Sequence, residues 1–128
     1  LTETTLGIPP AQIAPFVAQR IGLAKARRIM LTAARFTGKE AFEMGLADFI
    51  AKDANDLKNI ESHVIKGVMN CAPGANAITK EIVLATRHLE RSEMIDFAAK
   101  GFAERMLSDE GREGIASFIE KRKPKWSK

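Results

Sequence analysis

The sequence is poor in cysteine and in large aromatic residues. Its 128 residues include one cysteine, one tryptophan and no tyrosine. A single cysteine, Cys71, excludes an internal disulfide and favours a reducing compartment, so we expect a cytoplasmic protein. We interpret Cys71 as a small buried apolar residue rather than a nucleophile, since neither His63 nor His88 belongs to a recognisable partner motif.

Long apolar runs and clusters of metal-binding residues are missing as well. No apolar run reaches the length needed to span a bilayer, so we expect no membrane partner. Neither histidine has a second ligand at metal spacing, and we predict no metal site. The net charge is +4, but basic and acidic residues are interleaved except in the tail at 121–128. Because no aromatic residues alternate with these charges, we expect no nucleic-acid partner, although phosphate recognition stays open.

Apolar residues recur at helical spacing along most of the chain. Those between Ile13 and Ile21 predict a first helix that ends at Gly22, with Pro15 tolerated near its start. Similar stripes, which we interpret as core, run from Leu23 to Met30, from Leu57 to Val68, from Ile78 to Leu89, from Met94 to Met106 and from Ile115 to Ile119.

Local signals fix several helix ends. Thr37 and Glu40 form the pattern of a capping box, in which the Thr37 hydroxyl accepts from the Glu40 amide and the Glu40 carboxylate reaches back. Gly45 supplies a left-handed residue at the other end. These two signals predict a short helix over residues 38–44.

The segment Leu46–Ala51 is the best candidate for a strand, although its apolar residues alternate poorly. Asp53 or Asn55 then caps a long helix, and Ser108 caps the last one. The sequence therefore predicts a mainly α structure with one or two short strands. Amphipathic helices with so little strand normally pack against a partner layer.

Two motifs stand at opposite ends of the chain. ETTLGIPP occupies residues 3–10 and DEGREGIASFIEKRK occupies residues 109–123, with TAARF at 32–36 and EAFEMGL at 40–46 between them. In this order they resemble the C-terminal half of the enoyl-CoA hydratase/isomerase (crotonase) family. The resemblance implies the C-terminal helical part of an α/β crotonase fold.

The resemblance also implies a division of the chain. Residues 1–52 would be the end of the crotonase core, with the active-site turn, helices and a short strand, and residues 53–128 a C-terminal helical oligomerisation region. The first residue is Leu1 rather than methionine, so we expect a processed, proteolysed or deliberately cut piece. The first carboxylate, the oxyanion-hole glycines and most of the CoA pocket would precede residue 1, so we expect this chain alone to be inactive.

Addition of water to an α,β-unsaturated thioester needs a base for the water, an acid for the α-carbon and stabilisation of the enolate oxygen. In the resembled family two carboxylates share the first two tasks, and Glu3 occupies the place of the second one. Taken alone, a glutamate at this position would be a surface residue. The turn that follows, with Gly7 and two prolines, strengthens the catalytic interpretation.

Three further residues are assigned by the resemblance. The backbone amide of Ala11, aligned to within one residue, would help to hold the reacting water. Phe118 would form an apolar wall near the CoA or acyl group, and Lys121 would supply a mobile charge for phosphate. The alternative for Ala11 is a plain helix start at the prolines. For Lys121 it is a solvated basic helix end.

The chain departs from the family pattern beside Glu3. Thr2 stands where proline is common, and residues 11–16, AQIAPF, replace a glycine-rich run. Bulkier side chains there should narrow or reshape the acyl pocket. Within the family, residues 3–16 are most similar to hydratases of branched or terpenoid glutaconyl-CoA-type substrates.

The expected ligand is an acyl-CoA substrate, with no metal or organic cofactor. Two alternatives of other classes stay open. The chain could be a helical oligomerisation module without activity of its own, since the family's C-terminal helices build homo-oligomers, trimers or dimers of trimers. It could also be an RNA-binding relative, whose affinity would fall steeply with salt.

Overall fold

The computed structural model describes residues 1–127. A 3-10 turn at Glu3–Leu6 precedes the α-helices. The helices are α1 Ala14–Ile21, α2 Leu23–Leu31, α3 Gly38–Glu43, α4 Ala54–Met69, α5 Pro73–Ala85, α6 Arg91–Leu107 and α7 Asp109–Ile119. The chain divides into two compact units, Leu1–Ile60 and Glu61–Lys128. The assignment of residues 53–128 to oligomerisation stays a prediction.

The core of the first unit lies where α1 packs on α2. Val17 on α1 and Ala26, Ile29 and Met30 on α2 are buried together, and Ile29 is only 1% exposed. The predicted ends of α1 are confirmed. Pro15 lies in its first turn, and Gly22 separates it from α2 with a φ of 79°. A single residue between the two helices forces the chain to turn sharply, so their apolar faces meet.

The predicted capping box of α3 is confirmed. The Thr37 hydroxyl accepts from the Glu40 N–H at 3.3 Å, and the Glu40 carboxylate accepts from the Thr37 N–H at 2.7 Å. These hydrogen bonds from Thr37 hold the pKa of Glu40 below its ordinary value. Gly45 closes the helix with a φ of 82°, as its position in the sequence predicts.

The predicted strand at Leu46–Ala51 is wrong, because within residues 1–127 the segment forms bends followed by irregular backbone. The N–H groups of Leu46 and Ala47 both donate to Ala41 O, at 2.8 and 3.2 Å, and so close α3 instead of joining a ladder. Asp48 forms an ion pair with Arg20. A strand is stable only beside a partner, and the described residues offer none.

The second unit is built from packed neighbours α5, α6 and α7. Gly101 on α6 is buried, and a Cβ there would lie 2.9 Å from Ile78 Cγ2 on α5, so the two helices approach closely. The predicted cap of the last helix is confirmed, since Ser108 Oγ accepts from Gly111 N–H at 3.1 Å. The start of α4 is capped by Asp53, whose carboxylate accepts from the N–H groups of Asn55 and Asp56.

Several apolar stripes predicted to be core are exposed. On α4 no residue is buried, and Leu57 and Val68 are both exposed. On α6 Phe102 is exposed as well. Cys71 is also exposed, so its predicted burial is wrong. The stripes have the helical period of a packed face, but the described residues do not cover them. Among residues 1–127, no helix combines the length and apolarity needed to cross a bilayer.

Candidate active site

Glu3 begins the 3-10 turn that precedes α1. Within the turn, Thr5 N–H donates to Thr2 O at 3.0 Å and Gly7 N–H donates to Thr4 O at 3.2 Å. Ile8 N–H then donates to the backbone O of Glu3 at 3.4 Å. Gly7 has a φ of 76°, which the added Cβ of another residue would disfavour, so glycine allows the chain to close here.

Two contacts attach this turn to the core of the first unit. Leu1 packs against the buried cluster of α1 and α2. Thr4 Oγ1 donates to Met30 O at 3.0 Å, across 26 residues of sequence. Glu3 therefore lies between an apolar anchor and a hydrogen-bonded one.

Glu3 is one of the residues that line an open pocket of about 520 Å³. The other lining residues are Pro9, Pro10, Ala11, Gln12 and Ile13. The Oε2 atom of Glu3 is buried and has no hydrogen-bond partner among the described residues. Buried carboxylate oxygens nearly always have a hydrogen-bond donor, so this unpaired atom is unusual.

Ala11 lines the same pocket as Glu3, so the structure brings these two predicted residues together. Its N–H, however, donates to Pro9 O at 2.8 Å and is engaged in this conformation. The N–H of Gln12 has no acceptor among the described residues. Sequence reasoning missed Gln12, and the only signal for it was the one-residue uncertainty in the alignment of the amide.

Phe118 and Lys121 belong to the second unit, at the C-terminal end of α7. Phe118 is 84% exposed. Lys121 has a φ of 54°, and its N–H donates to Phe118 O at 3.3 Å while Arg122 N–H donates to Ser117 O at 3.0 Å. This paired closure explains the left-handed backbone of Lys121. It leaves the roles of both side chains in substrate binding as predictions.

The two histidines belong to the second unit. His63 and His88 are exposed on or beside helices. In the part of the chain that the structure describes, no group of three or more His, Cys, Asp or Glu residues could hold a metal ion.

Comparison with known proteins supplies the family. The family model for enoyl-CoA hydratase/isomerase matches residues 1–128. A peroxisomal Delta(3,5)-Delta(2,4)-dienoyl-CoA isomerase of Arabidopsis thaliana is 30% identical over 108 residues, which are 84% of this chain and 39% of that protein. The enoyl-CoA hydratase ACTT6 of Alternaria alternata is 30% identical over 120 residues, which are 92% of this chain and 40% of that protein.

Among solved structures, AtuE of Pseudomonas aeruginosa is similar with a TM-score of 0.94 and 49% identity. The match covers 98% of this chain and 48% of AtuE. The chain thus spans less than half the length of each of these three proteins. A family match along the whole chain, together with a helical structure similar to a member of known structure, shows that this chain belongs to the enoyl-CoA hydratase/isomerase family.

Proposed function

We propose that the protein containing this chain adds water to an α,β-unsaturated acyl-CoA, with Glu3 as one of the two acid–base carboxylates. The observation that carries the proposal is the buried Oε2 of Glu3, which has no partner in the described chain, together with the place of Glu3 in the lining of the pocket. An unpaired buried acceptor costs about 1–3 kcal/mol, so it is retained where function uses it. A reacting water, or a proton on its way to the α-carbon, would satisfy it.

The pocket presents both apolar and polar surface to a ligand. Prolines, Ala11 and Ile13 present apolar atoms, and Gln12 is the one uncharged polar side chain among the lining residues. Apolar walls with one or two placed polar groups are typical of sites for small organic ligands. Because bulkier residues replace the glycine-rich run, we propose a branched acyl group, of the terpenoid glutaconyl-CoA type, over a straight chain.

The loop offers two backbone amides that could hold the reacting water. Ala11 N–H is engaged with Pro9 O, so it would act only after that hydrogen bond opens. Gln12 N–H is available in the same loop. Phe118 and Lys121 are proposed to contact the CoA moiety. The exposure of the Phe118 ring and the place of Lys121 just after the end of α7 support this.

The test is Glu3→Gln in the full-length protein, assayed on a panel of straight-chain, branched and terpenoid 2-enoyl-CoAs. We expect kcat to fall by about 10²–10⁴-fold with KM nearly unchanged, because the amide keeps the shape but cannot transfer the proton. Glu61→Gln is the matched control, since Glu61 is exposed on α4. Unchanged turnover in Glu3→Gln would remove Glu3 from the mechanism.

The 128-residue chain alone should hydrate none of these thioesters above background. The proposed second carboxylate and enolate-stabilising amides belong to the remainder of the protein, and their loss removes the largest electrostatic contribution. If this chain alone hydrated these thioesters at a rate comparable to the full-length protein, the missing groups would not be needed for catalysis and this proposal would be refuted. A cytoplasmic location stays a prediction that rests on the single cysteine.

A second candidate function is assembly, and the exposed apolar stripes favour it. Leu57 and Val68 on α4 and Phe102 on α6 lie open in the described chain, and such residues need cover. A homo-oligomer, a trimer or dimer of trimers, is therefore part of the proposal. Sedimentation would decide, because a strictly monomeric full-length protein would exclude it.

RNA binding is not favoured by the contacts of the basic tail. Arg122 and Lys125 both contact Glu113, which reduces the charge that they offer to a phosphate. Binding of a structured RNA that weakened steeply between low and moderate salt would reopen this alternative.

A further inference from the structure

We propose that Thr4 is a positioning residue for Glu3: its side chain fixes the catalytic turn to the end of α2. The inference rests on the proposed function, because it assigns Thr4 a role only through the carboxylate of Glu3. Thr4 itself does not line the pocket.

The acceptor of the Thr4 hydrogen bond belongs to the rigid core. Thr4 Oγ1 donates to Met30 O at 3.0 Å, and the same carbonyl accepts from Ala33 N–H at 3.3 Å. Met30 is buried, and its neighbour Ile29 is the most completely buried large side chain of the described chain. A carbonyl held by a helix end and a packed core is a fixed reference point for the turn.

The other hydrogen bonds of the turn are local. Thr5 Oγ1 donates to Thr2 O at 2.7 Å, and the bonds from Gly7 and Ile8 end on Thr4 O and Glu3 O. Among the described residues, the Thr4 hydroxyl makes the one hydrogen bond that joins residues 1–8 to a later helix. Without it, the turn is held only by its local hydrogen bonds and by the packing of Leu1, which is not directional. The turn then moves more, and its local hydrogen bonds open more often.

Movement of the turn matters because proton transfer depends on distance. A general acid or base must lie within hydrogen-bond reach of the proton that it moves. A displacement of about 1 Å at a reacting group can cost on the order of 100-fold in rate. A single tether one residue from Glu3 is placed to prevent such a displacement.

The experiment compares three variants of the full-length protein, on the 2-enoyl-CoA of the panel that the unsubstituted protein hydrates fastest. Thr4→Val keeps the side-chain shape and loses the donor, whereas Thr4→Ser keeps the donor. Thr5→Val is the matched control, because the exposed Thr5 hydroxyl bonds only within the turn. We expect Thr4→Val to lower kcat by about tenfold or more with KM changed by less than about threefold. Thr4→Ser and Thr5→Val should stay within about twofold of the unsubstituted protein.

Hydrogen exchange gives a readout independent of turnover. Thr4→Val should speed amide exchange at Gly7 and Ile8, and Thr4→Ser should not, while thermal unfolding confirms that each variant is folded. A Thr4→Val protein that keeps its kcat, or a Thr4→Ser protein that loses as much as Thr4→Val, would overturn the assignment.

A double variant separates this inference from the proposed function. If Thr4 acts through Glu3, Thr4→Val should add no further loss in the Glu3→Gln background. An additional tenfold loss there would show a role independent of Glu3 and overturn the inference. If Glu3→Gln lowers kcat strongly and Thr4→Val does not, the positioning role of Thr4 is refuted and the proposed function stands. If Glu3→Gln leaves kcat unchanged, the proposed function and the positioning role of Thr4 are both refuted.

Discussion

Arg122 holds Glu113 through a bidentate ion pair. Nη1 donates to Oε1 at 2.6 Å and Nη2 donates to Oε2 at 3.1 Å. Glu113 lies on α7 and Arg122 follows the end of that helix, so the pair folds the next segment back along it. Lys125 N–H also donates to Glu113 Oε1, at 3.0 Å, and an added Cβ on Gly114 would lie 3.4 Å from the Trp126 ring. Glu113 is thus a main attachment of the segment after α7, beside the hydrogen bond that Ser127 Oγ donates to Asn70 Oδ1 at 3.0 Å.

This arrangement predicts an acid-induced release of the segment. The hydrogen bond from Arg122 is the largest cause that lowers the pKa of Glu113 from 4.5 to about 2. Because the pKa is lower in the folded state, the stabilisation is complete above about pH 4.5 and is lost as the pH falls towards 2. Trp126 is the only tryptophan, so its emission in this chain should change over that interval.

Removal of the negative charge of Glu113 should release the segment after α7 at neutral pH as well. In Glu113→Gln we expect the Trp126 emission at pH 7 to resemble that of the unsubstituted chain at low pH, with no further acid transition of the segment. Glu61→Gln, which alters an exposed carboxylate on another helix, should keep the transition. A full acid transition in Glu113→Gln would contradict this explanation.

Ala33→Gly should stabilise the chain. Ala33 follows α2 with a φ of 47°, where its N–H donates to Met30 O at 3.3 Å and Ala34 N–H donates to Ile29 O at 2.9 Å. An L-residue in this left-handed conformation costs about 1–2 kcal/mol, which glycine would avoid. Glycine also makes the unfolded chain more flexible, and this lowers part of the gain in the free energy of unfolding. We expect a net gain of about 0.5–1 kcal/mol in the free energy of unfolding, measured in urea.

Ala34→Gly is the control for that substitution. Ala34 packs against the core of the first unit and is not among the residues with positive φ. The same chemical change there should lower stability, because it removes packing and adds unfolded-state entropy. A destabilised Ala33→Gly protein would show that the left-handed backbone carries no strain.

Gly111→Ala should destabilise the chain strongly. An ideal Cβ on Gly111 would clash with Arg105 O and lie 3.0 Å from Met106 O. These are backbone atoms of α6, so the clash can be relieved only by moving α6 relative to α7. We expect a loss of about 3 kcal/mol or more in the free energy of unfolding.

Gly67→Ala is the same chemical change as Gly111→Ala, but it should stabilise the chain instead of destabilising it. Gly67 lies inside α4, and nothing surrounds its ideal Cβ within 4 Å. Alanine there should raise the free energy of unfolding by about 0.5–1 kcal/mol, through helix propensity alone. Equal effects of the two substitutions would show that the contact between Gly111 and α6 is not close in solution.

The ends of the helices show how far sequence reasoning reaches. Gly7 and Gly45 were predicted to close their turns, and both have φ values in the left-handed region, 76° and 82°. Ala33 and Lys121 close α2 and α7 in the same way, but the sequence contains no signal for them. Glycine predicts a left-handed backbone conformation because it adopts that conformation without strain. An alanine or a lysine adopts it only because the hydrogen bonds that close the helix require it.

The helices themselves, several of their caps and the family follow from the sequence alone. Each cap is made between residues at most a few positions apart, so Thr37 with Glu40 or Ser108 with Gly111 is visible as a local pattern. The false strand at Leu46–Ala51 marks the limit of such patterns, because a strand depends on a partner that lies elsewhere.

Only the tertiary structure decided which residues form the site and hold it. The buried Oε2 of Glu3, the engaged amide of Ala11 and the tether from Thr4 to Met30 all depend on how the turn meets the packed end of α2. Local periodicity specifies the helices because their hydrogen bonds span four residues. It carries no information about which threonine of the turn meets a carbonyl 26 residues away, since that contact exists only once α1 and α2 have packed.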